Sequence, residues 1–218
     1  MLTTKAIRRQ LRDTYRLHGP CENGTVEILN ASFIADEPSI FGKIDDGYMQ
    51  RELDWYLSES LNINDITGKI PEIWKQVASK QGMINSNYGW CIYSQENERQ
   101  FHRAIAALVK DRYSRQASMI YIRPTMHDDA FEDGCKDFMC TYATQLIIRD
   151  GKLHMMVFMR SNDAVFGYKN DRYWQNYVHE QAIRVLNQLG NPSLEKGNLY
   201  WNAASLHVYE RHFKFLGE

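Results

Sequence analysis

Apolar residues recur at intervals of three and four positions in several stretches, a spacing that places them on one face of a helix. The predicted helices span residues 3–16, 46–57, 95–110 and 171–189. In the first three, the residues expected to face inward are Ile7, Leu11, Tyr15, Met49, Leu53, Tyr56, Leu57, Phe101, Ile105, Leu108 and Val109. Gly190, with Pro192 just beyond it, is expected to end the last helix, since proline cannot continue one.

Other stretches are rich in apolar and β-branched residues and predict strands over 25–34, 137–149, 152–160 and 198–208. The dipeptide Asp150-Gly151 joins the middle two. It predicts a two-residue hairpin, because a type I′ turn needs positive φ at both central positions. Helices mixed with hairpin-linked strands indicate a single α+β domain over residues 1–218, built on one large sheet.

The hairpin also predicts which residues meet across its two strands. If Arg149 pairs with Lys152, then Cys140 lies opposite Ser161 on the same face of the sheet. An ideal ladder would turn Arg160 to the other face, so bringing Arg160 to Cys140 requires a β-bulge. The segments DFMCT and MRSND are therefore expected to be neighbours in space.

Charge and cysteine content narrow the class of protein. The 26 basic and 27 acidic residues leave a formal net charge of -1, so no broad cationic surface is available for a nucleic-acid backbone. None of the four cysteines lies in a CxxC pair or at zinc-site spacing, and no metal is expected. No apolar run suits a signal peptide or membrane span, which favours a cytoplasmic protein with reduced thiols.

Cys140 is the candidate nucleophile. A thiolate is the reactive species, and a nearby guanidinium such as that of Arg160 lowers a thiol pKa. A free cysteine also packs as a small hydrophobic residue, and an arginine often pairs on the surface. From spacing alone, the catalytic and the structural interpretation both stay open.

Several segments, in chain order, resemble the thymidylate synthase superfamily, and within it the phage deoxycytidylate hydroxymethylases. They run from about residue 25 to residue 213, and they read ASFIADEPSIFG, YMQRELDWYL, PEIWKQVASKQGMINSNYGW, DFMCTYATQ, MRSNDAVFGYKND and SLHVYERHF. The resemblance implies a large bulged mixed sheet flanked by helices, and two subunits that dimerise sheet to sheet. It also implies transfer of a one-carbon unit from methylenetetrahydrofolate to C5 of a pyrimidine nucleotide.

The resemblance also implies roles for individual residues. Cys140 would attack C6 of the base, Glu52 would organise water and proton transfer, and Tyr88 would lie near the nucleophile. The residues implied to bind the nucleotide are Arg160 and Ser161 at the phosphate, Arg115 across the dimer at the partner's phosphate, and His207 and Tyr209 at the sugar hydroxyl. Trp74 and Asp163 would lie on the folate side. Without the resemblance, Tyr88 and Trp74 are equally well read as core aromatics.

Asp171 is expected to select the base. Thymidylate synthases have asparagine here, which suits O4 and N3–H of uracil, whereas an ionised carboxylate is acceptor-only and suits the 4-amino group of cytosine. It can also favour a protonated N3. Asp171 equally fits the N-cap of the predicted helix at 171–189, and both roles can hold together.

The leading hypothesis is therefore hydroxymethylation of dCMP, in which water adds after the one-carbon transfer and yields 5-hydroxymethyl-dCMP for modified phage DNA. Thr141 follows the nucleophile where thymidylate synthases usually have histidine, which also points away from methylation to dTMP. The alternatives are a methylase or hydroxymethylase of dUMP or another pyrimidine nucleotide, and a non-catalytic nucleotide-binding protein. Gln116 stands where the family usually has a second phosphate-binding arginine, and this departure favours the non-catalytic alternative.

Overall fold

A computed structural model of the chain describes residues 1–190 and 193–217. Its strands are β1 Leu2–Thr3, β2 Thr25–Ile34, β3 Ser118–Ile120, β4 Thr141–Arg149, β5 Lys152–Met159, β6 Asn162–Asp163 and β7 Glu195–Tyr209. Its α-helices are α1 Thr4–His18, α2 Asp46–Leu57, α3 Glu72–Val77, α4 Tyr88–Tyr93, α5 Gln100–Lys110, α6 Asp129–Glu132 and α7 Gly167–Gln188. Short 3₁₀ turns lie at Ile63–Asp65, Pro124–His127 and Glu210–Phe215.

The described strands form one mixed sheet in the order β1-β2-β7-β5-β4-β3, with β6 paired to the end of β7. The long strand β7 runs antiparallel to β2 and parallel to β5 and β6, so it joins the two halves of the sheet. This mixed sheet flanked by helices confirms the predicted fold class.

The two faces of the sheet differ because side chains alternate along each strand. One face packs under the helices, and its central residues are buried: Thr144, Leu146, Ile148, Leu153, Met155, Val157, Trp201 and Ala203. The opposite face, called the open face below, carries half-buried residues: Ala143, Gln145, Ile147, His154, Met156, Phe158, Tyr200 and Asn202. Helix α7 covers the first face through Trp174, Val178 and Ala182, which recur every four residues.

The hairpin between β4 and β5 forms as predicted. Arg149 pairs with Lys152, and the turn residues Asp150 and Gly151 have φ of 49° and 74°. These positive values are the ones that a type I′ turn requires. The turn therefore sets the register of the two central strands.

That register changes once, at the far end of the hairpin. Ala143 still pairs with Phe158 as the turn dictates, but Thr141 pairs with Met159, one residue out of step. The shift is the predicted β-bulge, which is thus confirmed. It lies immediately after Cys140, which itself precedes β4 rather than belonging to it.

Several predicted boundaries are wrong. The strand predicted from residue 137 begins at Thr141, because the carbonyls of Phe138 and Met139 bind the guanidinium of Arg160. The helix predicted from residue 95 begins at Gln100, because Glu98 and Arg99 have left-handed backbones. The strands predicted over 152–160 and 198–208 span 152–159 and 195–209.

The last helix begins at residue 167 and ends at residue 188, rather than spanning 171–189. Pro192 lies outside the described residues. The inward-facing prediction is confirmed for Ile7 and Leu11, which are fully buried. It is wrong for Leu57 and Val109, which are exposed because they lie in the last turns of their helices.

The contact between α2 and α4 depends on a glycine. A Cβ atom on Gly89 would lie 1.8 Å from the carbonyl oxygen of Tyr56, so no larger residue fits without moving the backbone. This close approach stacks the rings of Tyr56 and Tyr88, with centroids 5.2 Å apart. It therefore holds Tyr88 beside the helix that carries Glu52.

Candidate active site

The bulge brings the thiol of Cys140 beside the guanidinium of Arg160. The amide N–H of Arg160 donates to the carbonyl of Cys140 at 2.8 Å, and Nη2 of Arg160 lies 4.0 Å from Sγ of Cys140. Ser161 follows, half-buried. The two segments that the hairpin predicts to be neighbours are therefore neighbours, and the arginine is the residue next to the thiol.

Arg160 is held by the chain in front of the nucleophile. Its Nε donates to the carbonyl of Met139 at 2.9 Å, and its Nη2 donates to the carbonyl of Phe138. The guanidinium also lies over the ring of Phe138, 5.0 Å from the centroid. Because the residue remains exposed, its remaining N–H groups can bind an anion at the rim of the site.

The electrostatics at Cys140 differ from the sequence-based expectation. Burial raises the pKa of the thiol to about 12, and the negative charge of Asp171 adds to the rise. Arg160 lowers the thiol pKa, as predicted, but burial and Asp171 outweigh it. The thiol is therefore protonated at neutral pH, and its attack requires a group that accepts its proton.

Asp171 points its carboxyl group into the same region from the first turns of α7. Its Oδ1 accepts a hydrogen bond from the hydroxyl of Tyr88 at 3.2 Å, and its Oδ2 accepts one from Nδ2 of Asn162 at 2.9 Å. Phe166, not Asp171, precedes the helix as its N-cap. The N-cap interpretation of Asp171 is therefore wrong, and its side chain is available to a ligand.

The environment of Asp171 favours its neutral form. Burial, followed by the charge of Glu52, raises the pKa of Asp171 to about 8, while the hydrogen bonds from Tyr88 and Asn162 oppose the rise. At neutral pH most of the Asp171 carboxyl groups carry a proton. The site thus holds a proton that can be shared with a bound base.

Glu52 is the second acid of the site. It is 5% exposed and accepts a hydrogen bond from the hydroxyl of Tyr48, which in turn accepts one from Nε1 of Trp74 at 3.1 Å. Burial raises the pKa of Glu52 to about 7, and the hydrogen bonds from Tyr48 and Trp74 oppose the rise. A carboxyl group with this pKa can accept and donate protons near neutral pH.

A buried aspartate holds the segment that presents Tyr88. The carboxylate of Asp137 accepts hydrogen bonds from the amide N–H groups of Asn85 and Ser86 at 2.8 and 2.7 Å, and one from the hydroxyl of Ser86 at 2.7 Å. Asp137 lies three residues before Cys140. The same few residues therefore connect the nucleophile to the helix that begins with Tyr88.

His207 and Tyr209 lie on one face of β7, as predicted, with ring centroids 4.8 Å apart. Asp163 pairs with His207 across β6 and β7. Burial raises the pKa of Tyr209, and the charges of Asp163 and Cys140 add to the rise while that of Arg160 opposes it. The phenol of Tyr209 therefore lies within electrostatic range of the thiol and of Arg160.

Arg115 does not lie near Cys140, Arg160 and Asp171. It is exposed, and its carbonyl accepts a hydrogen bond from Nε2 of Gln145 at 2.6 Å. Gln145 and Cys140 are five residues apart, a distance of roughly 16 Å along an extended chain. Arg115 thus lies beside the open face of the sheet, far from the thiol of Cys140.

Three residues that the sequence did not indicate are hydrogen-bonded to the two acids or to each other: Tyr48, Asn162 and Trp201. Tyr48 precedes Glu52 by four residues, so helical spacing alone could have paired them. The hydrogen bond at 3.1 Å from Nε1 of Trp201 to Oδ1 of Asn162 carries no such signal. It depends on the pairing of β6 with β7, which residues far apart in the sequence create.

Among residues 1–190 and 193–217, no group of three or more histidine, cysteine, aspartate or glutamate side chains is placed to hold a metal ion. In the same residues, no helix is both long and apolar enough to cross a bilayer.

A protonated thiol lies beside an arginine and near the half-buried Asp171, and the buried Glu52 adds a second acid whose pKa is close to neutral. This combination suits an enzyme site for covalent attack with proton transfer. The thymidylate synthase family profile matches residues 44–218. The deoxycytidylate 5-hydroxymethyltransferases of Enterobacteria phages T6 and T4 are each 52% identical to the chain, over 87% of it and 77% of their own length. The thymidylate synthase structure from T4 phage has a TM-score of 0.72 at 18% identity, and the match covers 96% of this chain and 78% of that one. The chain belongs to the thymidylate synthase family.

The raised pKa of Glu52 makes stability depend on pH. Between pH 4.5 and about 7 the folded protein keeps a proton that the unfolded chain has lost, so stability falls as pH rises through this window. Glu52→Gln removes this effect. We expect the free energy of unfolding of the variant, relative to the unsubstituted protein, to be higher at pH 8 than at pH 5 by at least about 1 kcal/mol.

Urea unfolding at the two pH values measures this difference. The exposed Glu132→Gln provides the control, for which the difference between pH 5 and pH 8 should be much smaller. An equal change in stability for Glu52→Gln at both pH values would contradict a raised pKa.

Proposed function

We propose that the protein is a deoxycytidylate 5-hydroxymethyltransferase that transfers a one-carbon unit from methylenetetrahydrofolate to C5 of dCMP. The observation that carries the proposal is the half-buried carboxyl group of Asp171, which lies near Cys140 and holds a proton near neutral pH. The 52% identity to the two phage enzymes with this activity supports it.

Asp171 forms hydrogen bonds with the 4-amino group and N3 of cytosine. Cytosine presents a 4-amino donor and an unprotonated N3, so its partner must accept at one position and supply a proton at the other. The proton of Asp171 meets the second need, and the resulting carboxylate accepts from the 4-amino group and from N3–H. A protonated ring is more electron-poor, which favours attack at C6.

Cys140 then adds to C6 of the ring. Its proton passes to a base, its sulfur forms the C–S bond, and C5 becomes nucleophilic enough to take the one-carbon unit. Glu52, with its pKa of about 7, organises the proton transfers. After loss of the C5 proton and departure of tetrahydrofolate, water adds to the exocyclic methylene and the sulfur leaves. The product is 5-hydroxymethyl-dCMP.

Other residues bind the rest of the two substrates. Arg160 and Ser161 hold the phosphate at the rim, and His207 and Tyr209 hold the sugar hydroxyl. Trp74 and Asp163 border the folate, and the half-buried indole of Trp74, tied to Tyr48, offers a flat apolar wall that fits an aromatic ring system. Thr141 after the nucleophile, where thymidylate synthases usually have histidine, supports hydroxymethylation over methylation.

The open face forms the dimer interface. Its half-buried side chains include Ile147, Met156, Phe158 and Tyr200, an apolar surface that a second copy of the sheet covers. Arg115 beside this face then reaches the phosphate of the partner's site, which it cannot reach in its own subunit. Gln116 supplies no second charge there, so phosphate binding rests more heavily on Arg115 and Arg160.

The covalent step is tested by Cys140→Ser. A serine hydroxyl is a far weaker nucleophile than a thiol at neutral pH, so release of tritium from C5 of dCMP should fall by at least about 10³-fold. Cys21→Ser, at an exposed cysteine, is the matched control and should retain full activity. Undiminished tritium release by Cys140→Ser would refute covalent catalysis.

Base selection is tested by Asp171→Asn. A carboxamide offers the donor and the acceptor that uracil needs but has no proton to give N3, so kcat/KM for dCMP relative to dUMP should fall by on the order of 10³-fold. Asp150→Asn, in the exposed hairpin turn, should leave the ratio unchanged. A variant at Asp171 that keeps the original ratio would show that another residue reads the base.

Subunit complementation tests the role of Arg115. Cys140→Ser and Arg115→Ala subunits, each defective alone, are unfolded together and refolded. The mixed dimer has one site with both changes and one with neither, so about a quarter of normal activity should return. Cys140→Ser mixed with Arg160→Ala should recover none, because each site then lacks one residue of its own subunit. Failure of the first mixture to recover would contradict contribution across the interface.

A further inference from the structure

Asn162 is a buried amide with both ends occupied. It is 2% exposed, its Nδ2 donates to Oδ2 of Asp171 at 2.9 Å, and its Oδ1 accepts from Nε1 of Trp201 at 3.1 Å. Its backbone is paired with Leu206 in the sheet. Hydrogen bonds therefore hold the backbone, the amide oxygen and the amide nitrogen of Asn162 in place.

Trp201 decides which end of the amide faces Asp171. An indole N–H only donates, so the atom of Asn162 that it contacts must be the amide oxygen. The NH₂ group is then turned toward Asp171 and cannot exchange places with the oxygen without leaving the buried indole unpaired. Trp201 is fully buried, so no water is available to replace the lost partner.

Gly167 lies directly against this contact. A Cβ atom on Gly167 would lie 3.4 Å from Nδ2 of Asn162 and 3.6 Å from Oδ2 of Asp171. These are ordinary van der Waals distances, so the start of α7 packs closely against both atoms of the hydrogen bond.

The orientation of the amide matters because a neutral carboxyl group can form hydrogen bonds with either cytosine or uracil. With its proton on one oxygen it matches cytosine, and with its proton on the other it matches uracil. A carboxylate that accepts at both oxygens matches only a base with two donors, which is cytosine protonated at N3. Donors fixed on Asp171 therefore favour the pairing that uracil cannot form.

We infer that Asn162, oriented by Trp201, is a specificity-determining positioning residue that keeps Oδ2 of Asp171 an acceptor and directs the proton onto the base. Tyr88, the donor on Oδ1, has a hydroxyl that can rotate, whereas the amide cannot. Asn162 is thus the donor that keeps Oδ2 of Asp171 unprotonated and able to accept a hydrogen bond. This inference rests on the proposed reading of cytosine by Asp171.

Two substitutions of similar size test it. Asn162→Asp replaces the donor with an acceptor, and Trp201→Phe removes the N–H that orients the amide. We expect kcat/KM for dCMP relative to dUMP to fall at least about tenfold for Asn162→Asp and about threefold for Trp201→Phe. The loss should appear mainly in kcat for dCMP, because the proton on N3 assists attack.

Trp174→Phe is the matched control. Trp174 is also fully buried and packs near Tyr88, but its indole N–H has no hydrogen-bond partner in the described part of the chain. Its substitution should leave the substrate ratio unchanged. Circular dichroism and thermal unfolding establish that each variant is folded before its kinetics are compared.

The outcomes separate this inference from the proposed function. If the unsubstituted protein prefers dCMP and folded Asn162→Asp and Trp201→Phe keep that preference, the inference is overturned and the function stands. A loss of preference in Trp174→Phe as large as that in Trp201→Phe also overturns it. If the unsubstituted protein does not convert dCMP, the proposed function fails, and the inference fails with it.

Discussion

The site depends on one constraint: the carboxyl groups of Asp171 and Glu52 are largely withdrawn from water, and the charge of Glu52 further disfavours the charged form of Asp171. Burial raises both pKa values toward neutrality, and the charge of Glu52 adds to the rise at Asp171. Hydrogen bonds from Tyr88, Asn162 and Tyr48 keep the acids oriented and partly offset the cost. The two carboxyl groups can therefore hold protons near neutral pH and exchange them with a bound pyrimidine.

The sheet provides the geometry for this arrangement. A single bulge moves the ladder by one residue and so brings an arginine beside a cysteine that an ideal hairpin would place opposite a serine. The parallel pairing of β6 with β7 then places Asn162 against Trp201 and Asp163 beside His207. One face of the sheet is covered by helices, and the other is left half-exposed.

Much of this could be predicted from local sequence. The Asp150-Gly151 turn sets the register of the hairpin, and from that register the need for a bulge at Cys140 follows. The start of α7 could not be predicted, because Gly167 and its neighbours carry no apolar repeat, and Asp171 therefore looked like a cap. The role of Asn162 was missed because its partners come from a distant strand and from a helix whose start was misplaced. The raised thiol pKa was also missed, since burial is a property of the folded chain.

We propose that the carboxyl group of Asp171 selects cytosine for covalent one-carbon transfer followed by hydration. The most direct measurement is a single competition in which the purified protein receives equal amounts of dCMP and dUMP with methylenetetrahydrofolate, and both nucleotides are identified by mass spectrometry. We expect dCMP alone to be converted and its mass to increase by one CH₂O group. Conversion of dUMP in place of dCMP, or the gain of a CH₂ group alone, would contradict it.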